Sequence, residues 1–109
     1  MRATSSNSYG PAFNRAGGGW YAIERTSESI KIWFWSRQDS HVPADVKNGE
    51  TSVDTSKWGT PFAAFPATNS CDLDSHFGWH NIVINLTLCG DWAGSAFGSD
   101  GCSGSCTGK

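Results

Sequence analysis

Apolar and polar residues alternate in several windows of this chain, and no window sustains a helical period. The clearest run is Ser29 to Trp35. Ile30, Ile32 and Phe34 fall on one side of a strand there, and Lys31, Trp33 and Trp35 on the other. Trp20 to Arg25 reads as a second strand, entered through Gly17-Gly18-Gly19, and Thr26-Ser27-Glu28 joins the two as a hairpin turn. Asn81 to Leu88 reads as a third. Its Ile82, Ile84, Leu86 and Leu88 share one face, and Val83, Asn85 and Thr87 the other. Gly59 to Phe65, bracketed by Pro61 and Pro66, is a short edge or irregular strand, because proline donates no ladder hydrogen bond. Ser36 to about Trp58 reads as a long loop with turn signals at Val42-Pro43 and Asn48-Gly49, and the chain is Gly/Ser-rich from Gly90 onward. Strands of this kind predict an all-β antiparallel sandwich with long loops. They are too few to close one. A chain of this size buries limited apolar area, and sheets without neighbours expose unpaired edges. Residues 1–109 are therefore expected to form a single, incomplete domain.

Composition sharpens this picture. Six of the 109 residues are tryptophan. Each is a flat apolar ring with one N–H donor at its edge, and a small domain buries only a few. The rest are expected in a groove or on a surface, where the natural partner of a flat ring is a sugar. Charged residues make up 17% and the net charge is −2, so no basic stripe exists to neutralise phosphates and nucleic acid is excluded as the main partner. No apolar run reaches transmembrane length, so no membrane partner is expected. Four cysteines in a short chain point to disulfides and an oxidising compartment. Asn85-Leu86-Thr87 is an N-glycan acceptor pattern. The N-terminus, Met1-Arg2-Ala3-Thr4-Ser5-Ser6-Asn7, has no hydrophobic signal region. A chain that reads as secreted without a signal peptide is expected to be a mature form or a piece of a longer protein.

Four cysteines allow three connectivities. The expected pairs are Cys71–Cys89, which would staple the last strand to the preceding loop for about 3 kcal/mol, and Cys102–Cys106, around Ser103-Gly104-Ser105. His76 and His80 have a zinc-like spacing. Such a pair converges on a helix, however, and Phe77-Gly78-Trp79 is poor helix, so both read as satisfied loop histidines and no metal or cofactor is expected. Glycosidic cleavage usually needs two carboxylates flanking the bond. Glu24 and Glu28 straddle the predicted turn and point in unrelated directions. Asp72 and Asp74 read as turn caps, while Asp91, beside Trp92, could hydrogen-bond sugar hydroxyls. There is no Gly-x-Ser-x-Gly elbow, and Gly17-Gly18-Gly19 precedes a strand rather than a phosphate-binding helix.

Several segments taken together resemble one family. They are Asn7-Ser8-Tyr9-Gly10-Pro11, Gly18-Gly19-Trp20-Tyr21-Ala22-Ile23-Glu24-Arg25-Thr26, Ile32-Trp33-Phe34-Trp35-Ser36-Arg37, Val42-Pro43-Ala44-Asp45-Val46, Trp58-Gly59-Thr60-Pro61, Cys71-Asp72 with Ser75-His76-Phe77, and Ile84-Asn85-Leu86-Thr87-Leu88-Cys89-Gly90-Asp91-Trp92-Ala93-Gly94. In order and in detail these resemble the fungal glycoside hydrolase family 16 enzymes, above all the basidiomycete laminarinases, which are endo-1,3(4)-β-glucanases. The resemblance implies a concanavalin A-like β-jelly-roll sandwich whose concave face cradles β-glucan. It also implies a retaining mechanism built on two glutamates in a Glu-x-Asp-x-x-Glu pattern. It covers the C-terminal part of that domain, less than half. The glutamate pattern is absent from this chain, and the family's final strand has no counterpart after Thr107-Gly108-Lys109, so no catalytic residue is carried over.

The substrate-binding candidates are Trp92 and Asp91, which resemble the family's glucan-contacting segment, together with Trp33 and Glu24. Trp33 and Trp35 share a strand face, and core burial is expected for one of them. Glu24 alternates with Trp20 and Ala22 and would be a polar groove residue if that face is the concave one. Trp58 and Trp79 are expected to be packing anchors. Asn85 is either glycosylated or a groove amide. The reading is thus the substrate-groove portion of a secreted β-glucan hydrolase, not catalytic alone, whose partners are β-glucan and the missing N-terminal portion of the domain. The alternative is a free-standing, lectin-like β-glucan-binding module. A hydrolase using Glu24 and Asp91 ranks third.

Overall fold

The period-two run from Gly19 to Ser36 folds as the hairpin its pattern predicts. In a computed structural model that describes residues 6–85, 87 and 89–108, the elements in order are α1 (Gly10–Arg15), β1 (Gly19–Arg25), β2 (Ser29–Ser36), α2 (Ala44–Asn48), a 3-10 turn (Thr55–Lys57), β3 (Ala63–Pro66), α3 (Leu73–His76) and α4 (Asp91–Ala96). The chain divides into two compact units, one ending at Gly78 and one beginning at Trp79.

In the first unit, β1, β2 and β3 form an antiparallel sheet in that order. The turn between β1 and β2 is held by Thr26, whose hydroxyl oxygen accepts from the N–H groups of Glu28 and Ser29 at 3.2 Å each. A short polar side chain thus replaces the backbone partners the turn lacks. The register pairs Trp20 with Trp35, Ala22 with Trp33 and Glu24 with Lys31. Because the side-chain period is two, these six residues share one face. The other face carries Tyr21 and Ile23 from β1, opposite Phe34 and Ile32, while Phe65 of β3 pairs with Ile30.

The tryptophan face holds the core. Trp33 (3% exposed), Trp35 and Trp58 are buried together, with Trp20, Ala22, Val42 and Val46 packed against them. Trp58 meets both strand tryptophans edge-on, at 5.2 Å and 86° to Trp33 and at 5.8 Å and 89° to Trp35. That geometry points the positive ring edge at the negative ring face. The Trp33 indole N–H donates to the Gly59 carbonyl at 3.1 Å. Trp33 was expected in a substrate groove; Trp58 covers it instead, because the segment between β2 and β3 folds back over this face.

That segment, read from sequence as a loop, contains α2 and the 3-10 turn. Pro43 precedes α2. Gly49 ends it in the left-handed region (φ 66°, ψ 47°), with the Glu50 N–H donating to the Asp45 carbonyl at 2.9 Å. Glycine adopts that conformation without a Cβ clash, so the Asn48-Gly49 turn signal marks the end of a helix inside the segment read as a loop.

On the opposite face, Phe13 of α1 joins Tyr21 and Phe34, and Phe62 packs on Phe34 at 6.1 Å. The Tyr21 hydroxyl donates to the Ser8 carbonyl. Beyond this cluster the face is open, with Ile23 at 69% exposure. The first and second strands meet closely at Gly19, where a Cβ would lie 2.5 Å from the Trp35 carbonyl oxygen and 2.6 Å from the Phe34 ring.

Three expectations are corrected. The described residues of 81–88 form no strand, and Ile82 and Ile84 are exposed. Alternation specifies which face a strand would bury, but a strand also needs a neighbour to complete its ladder; Leu86 and Leu88 lie outside the described residues. The disulfide joins Cys89 to Cys106, whose Cα atoms are 5.8 Å apart, within bridging range. Cys71 and Cys102 are exposed thiols, so neither Cys71–Cys89 nor Cys102–Cys106 forms. Loop length limits which pairs can close but does not decide which approach. Trp79, expected as a packing anchor, is fully exposed.

Replacing Trp58 with Ala should cost about 3–5 kcal/mol, the range for a deleted core aromatic, whereas Ile23→Thr should stay within about 0.5 kcal/mol. Urea unfolding followed by tryptophan emission checks both. Gly19→Ala should destabilise by about 1–3 kcal/mol, since backbone and ring must move to admit the new Cβ.

Candidate functional site

Asp91 and Trp92 open α4 in the second unit. The helix spans six residues, has no side-chain cap and buries none of its own residues. Gly90, at φ 154°, leads into it, and the Gly94 N–H donates to the Gly90 carbonyl at 2.7 Å. The Ser95 hydroxyl donates to the Trp92 carbonyl at 2.8 Å. Trp92 is 85% exposed, so it does not pack against the Gly-rich tail. Asp91 beside it is exposed as well. An open apolar ring next to a carboxylate can offer a pyranose a stacking surface and a hydroxyl acceptor together.

Glu24 and Trp33 lie in the first unit. Glu24 sits at the end of the tryptophan face, where its carboxylate accepts from the Thr55 hydroxyl and from Lys31 Nζ at 3.3 Å. The Thr55 hydrogen bond, followed by the Lys31 ammonium, holds this carboxyl below its ordinary range against partial desolvation. A carboxyl held ionised in this way is a poor general acid. Glu28, on the hairpin turn, is exposed. The structure thus brings Glu24 and Trp33 to one sheet face and Asp91 and Trp92 to one helix, and it gives Glu24 a structural task.

Sequence reasoning missed Asp45. Its carboxylate accepts from the Trp58 indole N–H at 2.9 Å, the Asp54 N–H at 3.0 Å and the Val46 N–H at 2.9 Å. The Asp54 bond, then the Trp58 bond, hold its pKa below the ordinary value. The one legible signal was an acidic residue in the first turn after Val42-Pro43, where a helix N-terminus favours negative charge. Two open clefts lie in the first unit. One, of about 330 Å³, is lined by Asn7, Phe34, Ser36, Gln38, Asp39 and Phe62. The other, of about 430 Å³, lies beside Asp45, Glu50, Asp54 and Lys57. Among the described residues no group of three His, Cys, Asp or Glu could hold a metal ion, and no helix is long and apolar enough to cross a membrane.

A short-helixed antiparallel sheet with aromatic-rich strands and an exposed Asp-Trp pair fits a carbohydrate-active β-protein. More narrowly, the chain belongs to glycoside hydrolase family 16: the XgeA-like catalytic GH16 domain matches residues 1–109. It is 47% identical over 94% of its length to a probable glycosidase of Schizosaccharomyces pombe, of which it covers 23%. It is 44% identical over 90% of its length to a probable endo-1,3(4)-beta-glucanase of Neosartorya fischeri, of which it covers 14%. The chain therefore spans less than a quarter of these curated relatives. Among solved structures it is similar to Laminarinase 16A from Phanerochaete chrysosporium, seen with two β-glucans in donor and acceptor sites. The identity there is 56% and the TM-score 0.82, over 96% of this chain and 36% of that one. A beta-1,3-glucosyltransferase of the same family matches at 36% identity and TM-score 0.61, over 90% of this chain and 31% of that one. At this similarity the fold is the all-β jelly roll of the laminarinase, of which this chain makes up a part.

Glu24 and Asp45 both titrate below their unfolded values, so the stability they contribute is fully present above about pH 4.3 and is lost as pH falls through the folded values. The urea midpoint should therefore fall as the pH drops below about 4.3. In Asp45→Asn that slope should be shallower and the midpoint at neutral pH lower.

Proposed function

We propose that these 109 residues are the substrate-groove portion of a single family 16 β-glucanase domain. In this reading they bind 1,3(4)-β-glucan of the laminarin type and do not cleave it alone. One observation carries the reading: 56% identity, over 96% of the chain, to a laminarinase seen with β-glucans in its donor and acceptor sites. The absence of a Glu-x-Asp-x-x-Glu pattern from the sequence and the ionised, hydrogen-bonded state of Glu24 support the lack of catalysis. Trp92 serves as the sugar platform and Asp91 as an acceptor for sugar hydroxyls. The half-open apolar face of the sheet, with Ile23 exposed, suits packing against the rest of such a domain. Four cysteines, one disulfide and the Asn85 acceptor pattern favour a secreted setting.

A free-standing glucan-binding module is the second reading. It is favoured by the Trp33–Trp35–Trp58 core, which the first unit builds from its own residues.

Titrating the chain with a laminarin oligosaccharide, while following tryptophan emission and released reducing sugar, tests both. A saturable spectral change without hydrolysis is the expected outcome, and Trp92→Ala should weaken binding about tenfold, the loss of one aromatic contact. Adding the missing N-terminal portion should then restore hydrolysis if the chain is a groove portion, and should have no effect if it is a free-standing module. Reducing sugar released by the chain alone, and abolished in Glu24→Gln, would overturn both readings.

A further inference from the structure

Trp92 is exposed and α4 buries none of its residues, so packing does not fix the platform. A helix of six residues without a capping side chain does not hold itself together in water, because nucleating a helix is unfavourable and so few bonds do not compensate. The local hydrogen bonds from Gly94 to Gly90 and from Ser95 to Trp92 order the first turn but do not anchor it to anything else. One covalent constraint spans the segment. The Cys89–Cys106 bridge, 17 residues apart in sequence, encloses α4, and Cys89 stands directly before Gly90-Asp91-Trp92. The same enclosed loop turns at Gly101 and Gly104, both at positive φ, and the Cys102 N–H donates to the Phe97 carbonyl at 3.1 Å. The loop is therefore closed by the bridge and pleated by its glycines.

Resting on the reading of Trp92 as a sugar platform, we infer that Cys89 and Cys106 are positioning residues for glucan binding: their bridge preorganises Asp91 and Trp92. A ligand that meets a closed loop need not order it on binding, and affinity rises by the ordering cost avoided. Opening the bridge should leave the tryptophan core of the first unit in place and weaken glucan binding through Trp92 alone.

The experiment is a double-mutant cycle in a Cys71→Ser, Cys102→Ser background, so that no other thiol can re-pair. Binding of laminariheptaose is measured by calorimetry for the background protein, for Trp92→Ala, for Cys89→Ser with Cys106→Ser, and for the combination. Blue-shifted emission from Trp33, Trp35 and Trp58 reports that the first unit is folded. The expected result is a loss of about tenfold on opening the bridge, with little further loss when Trp92→Ala is added, because the two changes remove the same interaction. Independent, multiplying losses would overturn the inference while leaving the platform standing, and so would unchanged binding in the bridge variant. Unchanged binding in Trp92→Ala would sink the platform and the inference with it. If the bridge variant fails to fold, mild phosphine reduction of the background protein and its reoxidation replace it: reversible loss and recovery of affinity supports the inference, and indifference to reduction overturns it.

Discussion

The indole of Trp58 stands edge-on to both Trp33 and Trp35 while its N–H donates to Asp45, and most of the first unit hangs on that one side chain. Two large aromatic faces on a strand would otherwise be open to water. Trp58 covers them at the favoured edge-to-face geometry. Its polar edge would be costly to bury unpaired, and the Asp45 carboxylate accepts the hydrogen bond that its N–H donates. The same carboxylate takes the N–H groups of Val46 and Asp54. One acid thus ties α2, the chain leading into the 3-10 turn and the tryptophan core to one another. Val42 and Val46 fill the remaining flank, and Thr55 reaches Glu24 at the other end. The stretch between β2 and β3 is consequently a lid on one sheet face, although it contains little regular structure.

This lid decides how the two sheet faces differ. The tryptophan face is finished by residues of its own unit. The other face has an aromatic cluster at the α1 end and open aliphatic residues beyond it. One face is thus covered within the unit and the other is partly open. The second unit is built differently: it has one disulfide, a short helix and exposed tryptophans.

Local signals in the sequence were strong where local physics is sufficient. The hairpin of β1 and β2 followed from alternation and a Thr-Ser-Glu turn, since both its ladder and its turn are satisfied within a few residues of one another. The Asn48-Gly49 turn signal was sound as chemistry, and the short helix it ends was not read from the sequence. The family was legible as well, because ordered short segments carry it. Elsewhere the same alternation failed. Residues 81–85 have a strand's pattern without a strand's pairing, and a ladder needs a neighbour that pattern cannot supply. Trp33 and Trp92 look alike as residues, yet one is buried and the other open, because only the fold-back of a distant segment covers Trp33.

What the sequence by itself determined is therefore the all-β class, the hairpin with its two faces, and membership of a glucan-active family; each rests on neighbours close along the chain or on ordered motifs. Tertiary structure alone decided which tryptophans are core and which are exposed, that Asp45 is the clamp and Glu24 a latch, and that Cys89 bonds Cys106. These depend on residues such as Asp45 and Trp58, or Glu24 and Thr55, far apart in sequence. Their approach is fixed by the joint packing of the whole unit, and no single window of the chain contains it.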